Sequence, residues 1–187
     1  MIVAAVMASV AAVIEPAGYW TGPMRGDTPA TLQGAAVIDG AALDRMIARD
    51  RPVMIDVSPA EQRPAGVRSW LPTHRSIPGS RWLPGAGDGV LAAEREAALV
   101  AIAGARTGAV VVFCHPRCWA SWNAAKRLVR AGFSRVYWYR DGIEGWQVAH
   151  ATAVVPADPR WPQSRTSETK APPPTGEGPV VQSAEKE

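Results

Sequence analysis

Cys114 and Cys118 are the only two cysteines of the chain, and they close the run Cys114-His115-Pro116-Arg117-Cys118-Trp119. Ala109-Val110-Val111-Val112-Phe113 stands directly before them, β-branched, apolar and of strand length. Ser121 to Gly132, after them, has helical spacing. A thiol at the carboxyl end of a strand, facing the amino end of the next helix, lies where backbone N–H groups and the helix dipole stabilise anions. Such a place lowers a thiol's pKa and makes it a better nucleophile. The spacing therefore predicts a reactive thiolate at Cys114, with Arg117 adding positive charge nearby. The competing reading of either cysteine is a small buried hydrophobe. The C-x-x-x-C spacing is not the thioredoxin-type C-x-x-C. Two cysteines this close can be bridged where the backbone turns, and Pro116 favours a turn. Thiolates with imidazole also suit Cu(I) or zinc. For a metal, His74 or His150 would have to approach, because His115 adjoins Cys114 and cannot readily chelate the same ion.

Supporting roles fall to a few other side chains. Asp56 ends a second apolar strand, Pro52 to Val57, and is expected either to orient the cysteine loop from the same sheet edge or to cap a turn. Arg75 could attract an anion, and His74 reads as a hydrogen-bonded loop residue. Trp119 and Trp122 could line the site or stack on a flat ligand, whereas Trp138 and Trp146 read as core.

The elements that must position these groups are legible as alternating patterns. Strand-length apolar runs lie at Pro52 to Val57, Ala109 to Phe113 and Arg135 to Tyr139. They lack the in–out alternation of a half-exposed strand, which suits strands covered on both faces. Helical spacing fills Ala41 to Arg49, Ala92 to Gly104 and Ser121 to Gly132. In the last, Ala124, Ala125, Leu128 and Val129 form a stripe, and Lys126, Arg127 and Arg130 are expected to face water. Gly132 is placed to end that helix. Asp141 is placed to cap a short final one, Gly142 to Ala149. Strand–helix alternation predicts an α/β fold, a parallel sheet flanked by helices, with ligands gathered at the carboxyl ends of the strands.

Composition bounds the rest. The 187 residues suit one domain with extensions, and the formal charge is +3. Four basic and five acidic residues after Val155 leave the body near +4, too mild a charge to argue for nucleic acid. No internal apolar run reaches the length of about 18 residues that a membrane span needs. Residues 1–14 are short, apolar and Ala-rich, and are expected to be the remnant of a signal peptide, which places the protein in the periplasm. Residues 156–187 carry seven prolines and few large apolar groups, and are expected to be a disordered Pro-rich tail. Residues 15–155 are the expected folded domain.

Several of these runs together resemble the rhodanese superfamily. They are Val53 to Val57, Ile77-Pro78-Gly79 leading to Trp82-Leu83-Pro84, the strand ending at Cys114, Gly132-Phe133, and Asp141-Gly142-Ile143-Glu144-Gly145-Trp146. A longer resemblance, from about Glu15 to Val155, is to the bacterial PQQ-dependent catabolism-associated CXXCW motif proteins. It is carried by Tyr19-Trp20-x-Gly22-Pro23-Met24-Arg25-Gly26, by His74 to Gly79, and by Cys118-Trp119-x-Ser121-Trp122-Asn123. The resemblance implies a rhodanese-like domain with Cys114 as nucleophile and the loop residues His115, Arg117 and Trp119 as support. It implies an exported accessory protein of quinoprotein alcohol catabolism, with Cys114 and Cys118 as a pair for thiol redox or sulfur handling. A thiosulfate-type sulfurtransferase using Cys114 alone, and a metal- or partner-binding module without catalysis, are the alternatives. The implied partner is a quinoprotein dehydrogenase system or a periplasmic redox protein; no cofactor is expected in the chain itself. Where rhodanese loops carry Gly and then Arg-Ser, no Gly lies between Cys114 and Trp119 here, the loop is one residue longer, and Pro116 removes one N–H from any anion cradle.

Overall fold

A computed structural model describes residues 12–61 and 73–162. The expected signal-peptide remnant lies almost wholly outside the described residues, as does the tail from Gln163 onward. The element order is β1 (Ala36–Ile38), α1 (Gly40–Arg49), β2 (Val53–Asp56), β3 (Thr73–Ser76), β4 (Arg81–Trp82), α2 (Ala93–Ala103), β5 (Val110–Phe113), α3 (Trp119–Arg130), β6 (Val136–Tyr139), α4 (Gly142–Gln147) and β7 (Ala153–Pro156). Five strands form one parallel sheet in the order β1-β6-β5-β2-β4. The remaining two, β3 and β7, pair antiparallel beside it. This is the α/β arrangement, a mostly parallel sheet flanked by helices, that the strand–helix alternation predicts.

The central strand shows why the apolar runs do not alternate. Successive strand side chains point to opposite faces. On β5, Val110 and Val112 join a cluster with Leu99 and Ile102 of α2, Trp122 and Leu128 of α3, and Trp138. Val111 and Phe113 join the other cluster, with Leu43 of α1, Tyr139 and Ile143 of α4. Both faces are dry, so both parities must be apolar.

Helix ends follow their chemistry in two cases and depart from it in a third. Asp39 caps α1 by accepting the Ala42 N–H at 2.8 Å. At the end of α3, Gly132 has φ +87°, and the Phe133 N–H reaches back to the Leu128 carbonyl at 3.1 Å. That closure needs the left-handed region, where glycine carries no Cβ penalty. Asp141 precedes α4 but its side chain makes no cap hydrogen bond, contrary to expectation. The glycine at the first turn, Gly142, instead lets α4 lie directly on the cysteine loop.

A segment from Val13 to Gly34, before β1, crosses the outer face of α3 as a strap. Asn123, fully buried, accepts the Trp20 N–H at 2.8 Å and donates to the carbonyls of Trp20 and Gly87, each at 2.9 Å. Arg127 was expected in water and is 2% exposed. Its guanidinium donates to the Asp88 and Gly89 carbonyls and lies 4.1 Å from the centre of the Tyr19 ring. The strap and the Asp88–Gly89 loop together bury Arg127, while Lys126 stays half-buried and Arg130 exposed.

Order also runs past Val155. β7 ends at Pro156, and Trp161 is 2% exposed, donating its indole N–H to the Pro84 carbonyl at 3.0 Å. The packed body therefore reaches at least Pro162, seven residues past the expected boundary. Among the described residues no helix is long and apolar enough to cross a membrane.

Candidate active site

The site is built on the turn between β5 and α3. Cys114 follows the last residue of β5, and its carbonyl accepts the Ile143 N–H at 2.9 Å from the start of α4. A Cβ on Gly142 would sit 2.5 Å from that same oxygen, so only glycine allows the approach. Arg117 then takes φ +52°, a left-handed conformation that a non-glycine residue rarely adopts. This turn brings Cys118 to the N-cap position of α3. The strap fixes the turn from outside: the Gly26 N–H donates to the Arg117 carbonyl and the Trp119 N–H to the Met24 carbonyl, both at 2.9 Å.

The two thiols are therefore unequal in their surroundings. Cys118 is lowered from 9.0 to about 6. The largest cause is the hydrogen bond from the Cys114 thiol; burial opposes it, and backbone N–H groups of Ala120, His115 and Ser121 add to it. Cys114 is raised well above the ordinary thiol range, first by burial and then by the hydrogen bond and charge of Cys118. Ser121 pulls weakly the other way, its Oγ lying 3.2 Å from the Cys114 sulfur. The reason is geometric. The strand end is enclosed by α4 and the core, leaving Cys114 at 0% exposure, while the N–H groups at the head of α3 converge one turn later, on Cys118. The surroundings thus favour the thiolate at Cys118 and the thiol at Cys114, and both side chains are buried.

Other expected site residues divide. Arg117 is ion-paired with Asp27 at 3.0 Å on the surface, and it is not among the groups that lower the Cys118 thiol. Trp119 does not line an opening: it stacks on Trp20 with centroids 4.4 Å apart and meets Trp122 edge-on. His115 contributes its main-chain N–H to Cys118, and its ring Nδ1 lies 2.9 Å from Glu144. Asp56 is 0% exposed and accepts from the Ser58 N–H, the Ser76 hydroxyl and His74 Nε2, the last at 2.8 Å. It thus holds β3 and His74 rather than the cysteine loop. Arg75 reaches Thr152 on the exposed side.

A cleft of about 340 Å³ opens beside the loop, lined by His74, Arg75, Trp82, His115 and Glu144 among others. Among the described residues no group of three or more His, Cys, Asp or Glu side chains could hold a metal ion. His150, the other imidazole considered, pairs with Asp44 and stacks on Trp146. Two functional neighbours escape a reading of the sequence. Ser121 accepts the Trp138 indole N–H at 3.0 Å and donates to the Cys118 carbonyl at 3.2 Å, so it locks the turn. Its signal was its place three residues after Cys118, the same helical face. Glu144 had no such signal, since only the fold brings α4 to His115.

Residues 39–149 match the family described as Rhodanese-like domain. The solution structure of the 30 kDa polysulfide-sulfur transferase homodimer from Wolinella succinogenes is similar at 15% identity and a TM-score of 0.44. That similarity covers 64% of this chain and 79% of the other. No curated protein matches the sequence. The matched residues begin at Asp39, so the strap that covers α3 and pins the cysteine turn lies before them.

Proposed function

The chain belongs to the rhodanese-like domain family, and from that premise we propose an exported sulfur-handling protein that serves PQQ-dependent (quinoprotein) alcohol catabolism. The observation that carries the chemistry is the place of Cys118 at the N-cap of α3, where the N–H groups of Ala120, His115 and Ser121 and the neighbouring Cys114 lower its thiol. A thiolate is the nucleophilic form of cysteine, and an N–H cradle stabilises the anions it passes through. Cys118 attacks the outer sulfur of a sulfane donor R–S–S⁻. The S–S bond of the donor breaks, R–S⁻ leaves, and Cys118 carries the transferred sulfur as a persulfide. Cys114, held protonated by burial, donates to that anion. Where Cys114 does lose its proton, it attacks the Cys118 sulfur, expels HS⁻ and closes a Cys114–Cys118 disulfide. A dithiol partner of the periplasm would then supply the two electrons that reopen it.

Service to a quinoprotein dehydrogenase system rests on the sequence resemblance of the strap, the His74 to Gly79 run and α3. Export rests on the apolar first 14 residues. PQQ is the cofactor of the system served, and no step on this chain uses it. A transferase working through Cys114 alone would have to ionise the more buried thiol first, against its surroundings.

Exposure of the purified protein to polysulfide, followed by intact-mass analysis, tests the sulfur chemistry. One added sulfur is expected on the wild type and on Cys114→Ser, and none on Cys118→Ser. A label that survives Cys118→Ser, or no label at all, would overturn the assignment. Deleting the gene in a host that grows through a quinoprotein alcohol dehydrogenase should slow growth on alcohol and leave growth on an organic acid unchanged. Equal growth on both removes the proposed service.

A further inference from the structure

The buried pair Asp56–His74 has no part in the sulfur step described so far. Asp56 is fully enclosed, with an N–H and a hydroxyl already donated to it, so it faces His74 as an acceptor. His74 Nε2 must then carry the hydrogen of their 2.8 Å bond. That fixes the tautomer and leaves Nδ1 with its lone pair, for which no hydrogen-bond partner lies among the described residues. The ring is held flat against the Trp82 indole, centroids 4.8 Å apart. Ser80 donates to Ser76 at 3.0 Å and so steadies the same carboxylate from behind.

This oriented imidazole lines the cleft beside the cysteine turn. His115 is the shared wall: its ring lines the cleft 6.4 Å from that of His74, and its main-chain N–H belongs to the cradle of Cys118. A persulfide on Cys118 adds about 2 Å of reach beyond the cysteine sulfur. Neither cysteine lines the cleft, so the link to Cys118 runs through His115, and a carboxylate-oriented imidazole across that wall is oriented as a general base is.

We propose that His74, oriented by Asp56, is the general base for a thiol acceptor that enters this cleft and discharges the Cys118 persulfide. The proposal rests on the sulfur-handling reading above and names its second substrate class, a low-molecular-weight thiol. His74 Nδ1 takes the proton of R–SH. The resulting R–S⁻ bonds to the outer sulfur of the persulfide. The bond between the two persulfide sulfurs breaks, its electron pair returns to Cys118 as thiolate, and R–S–S⁻ leaves. His74 then passes its proton to water.

The test compares two acceptors on protein preloaded with polysulfide. Mercaptoethanol must lose a proton to react; sulfite, already anionic in mild alkali, need not. His74→Asn should load normally, discharge to mercaptoethanol about a hundredfold more slowly, and discharge to sulfite at the wild-type rate. Equal slowing with both acceptors would make His74 a structural residue and overturn the proposal, as would undiminished discharge to the thiol. Loss of loading in the variant overturns it too, because an anionic donor needs no base. If the wild type itself never forms a Cys118 persulfide, the sulfur-handling reading falls and the role of His74 with it. A persulfide that forms but ignores His74 removes this proposal alone.

Discussion

The largest cause that lowers the Cys118 thiol is a donor that is itself a thiol, so the two cysteines cannot be exchanged without consequence. Cys114→Ala removes the largest cause of the shift and leaves burial opposed only by backbone N–H groups. The thiolate absorbance of Cys118 should then titrate upward from a midpoint of about 6, whereas Cys114→Ser, which keeps a donor, should move it less. Well below the midpoint each unit of that rise removes roughly tenfold of the thiolate, so alkylation at about pH 5 should slow accordingly. An unmoved midpoint in Cys114→Ala would show that the helix N–H groups suffice. The same shift links to stability. Cys118 has a folded-state pKa below its unfolded value of 9.0, so its contribution is complete above that value and is lost as pH falls through about 6. Cys114 is raised, so above 9.0 the unfolded chain ionises more readily than the folded one and stability falls again. Melting temperature should climb between those limits in the wild type and lose that climb in Cys118→Ser. The sequence puts both thiols in one six-residue turn but cannot tell how their surroundings differ. A strand end and a helix start are one turn apart, and only the left-handed Arg117 shows which sulfur meets the N–H groups.

The elements legible beforehand are those buried on both faces or capped by side chains of clear purpose. β5 and β6 announce themselves because they run without polar–apolar alternation, β2 because its apolar run reaches the buried Asp56 that ends it, and α1, α2 and α3 because one stripe must be apolar. β1 and β4 are too short to carry a pattern, at three and two residues, and are made by pairing with β6 and β2. β3 and β7 define each other across a long separation, so neither half reads as a strand alone. For the same reason His74 reads as a loop residue until β3 is placed beside Asp56. α3 misleads in another way. Its basic face looks solvated, yet the strap buries Arg127 and ties itself down through Asn123. Gly89 permits the close approach of the strap, since a Cβ there would lie 2.3 Å from the Trp20 carbonyl. Asn123→Ala would strand the Trp20 N–H and the Trp20 and Gly87 carbonyls at once. A loss of about 3 kcal/mol is expected from urea unfolding, because each abandoned buried group costs about 1–3 kcal/mol and the Trp20 groups can partly rehydrate. A loss below about 0.5 kcal/mol would mean that the strap is held by its tryptophan stack instead.

At the scale of the whole molecule, the open question for sequence reading was where packing stops, and composition alone places that limit too early. Proline-rich, apolar-poor chain resists folding on average, but one well-placed aromatic reverses the balance locally. Beyond β7, Ala157 bridges to Trp82, the Asp158 N–H donates to the Trp82 carbonyl at 2.9 Å, and the Trp161 N–H closes a turn on the Asp158 carbonyl at 2.8 Å. Arg160 beside Asp158 holds that carboxyl below its usual range and fixes the turn. Trp161 then drops into the core cluster, under the guanidinium of Arg95 at 4.7 Å. This closing turn grips β4, whose Trp82 also supports the His74 ring, so the carboxyl end of the domain braces the cleft. Two truncations separate packing from tail. A chain ending at Val155 loses Trp161 and should be destabilised by about 3–5 kcal/mol, the range for deleting a large buried aromatic. Its thiol discharge should weaken while Cys118 still ionises, because β5 and α3 are untouched. A chain ending at Pro162 keeps every contact named here and should melt with the full-length protein. Equal melting of all three would place the end of the folded body back at Val155; a shared loss in both truncations would assign a stabilising role to residues beyond Pro162.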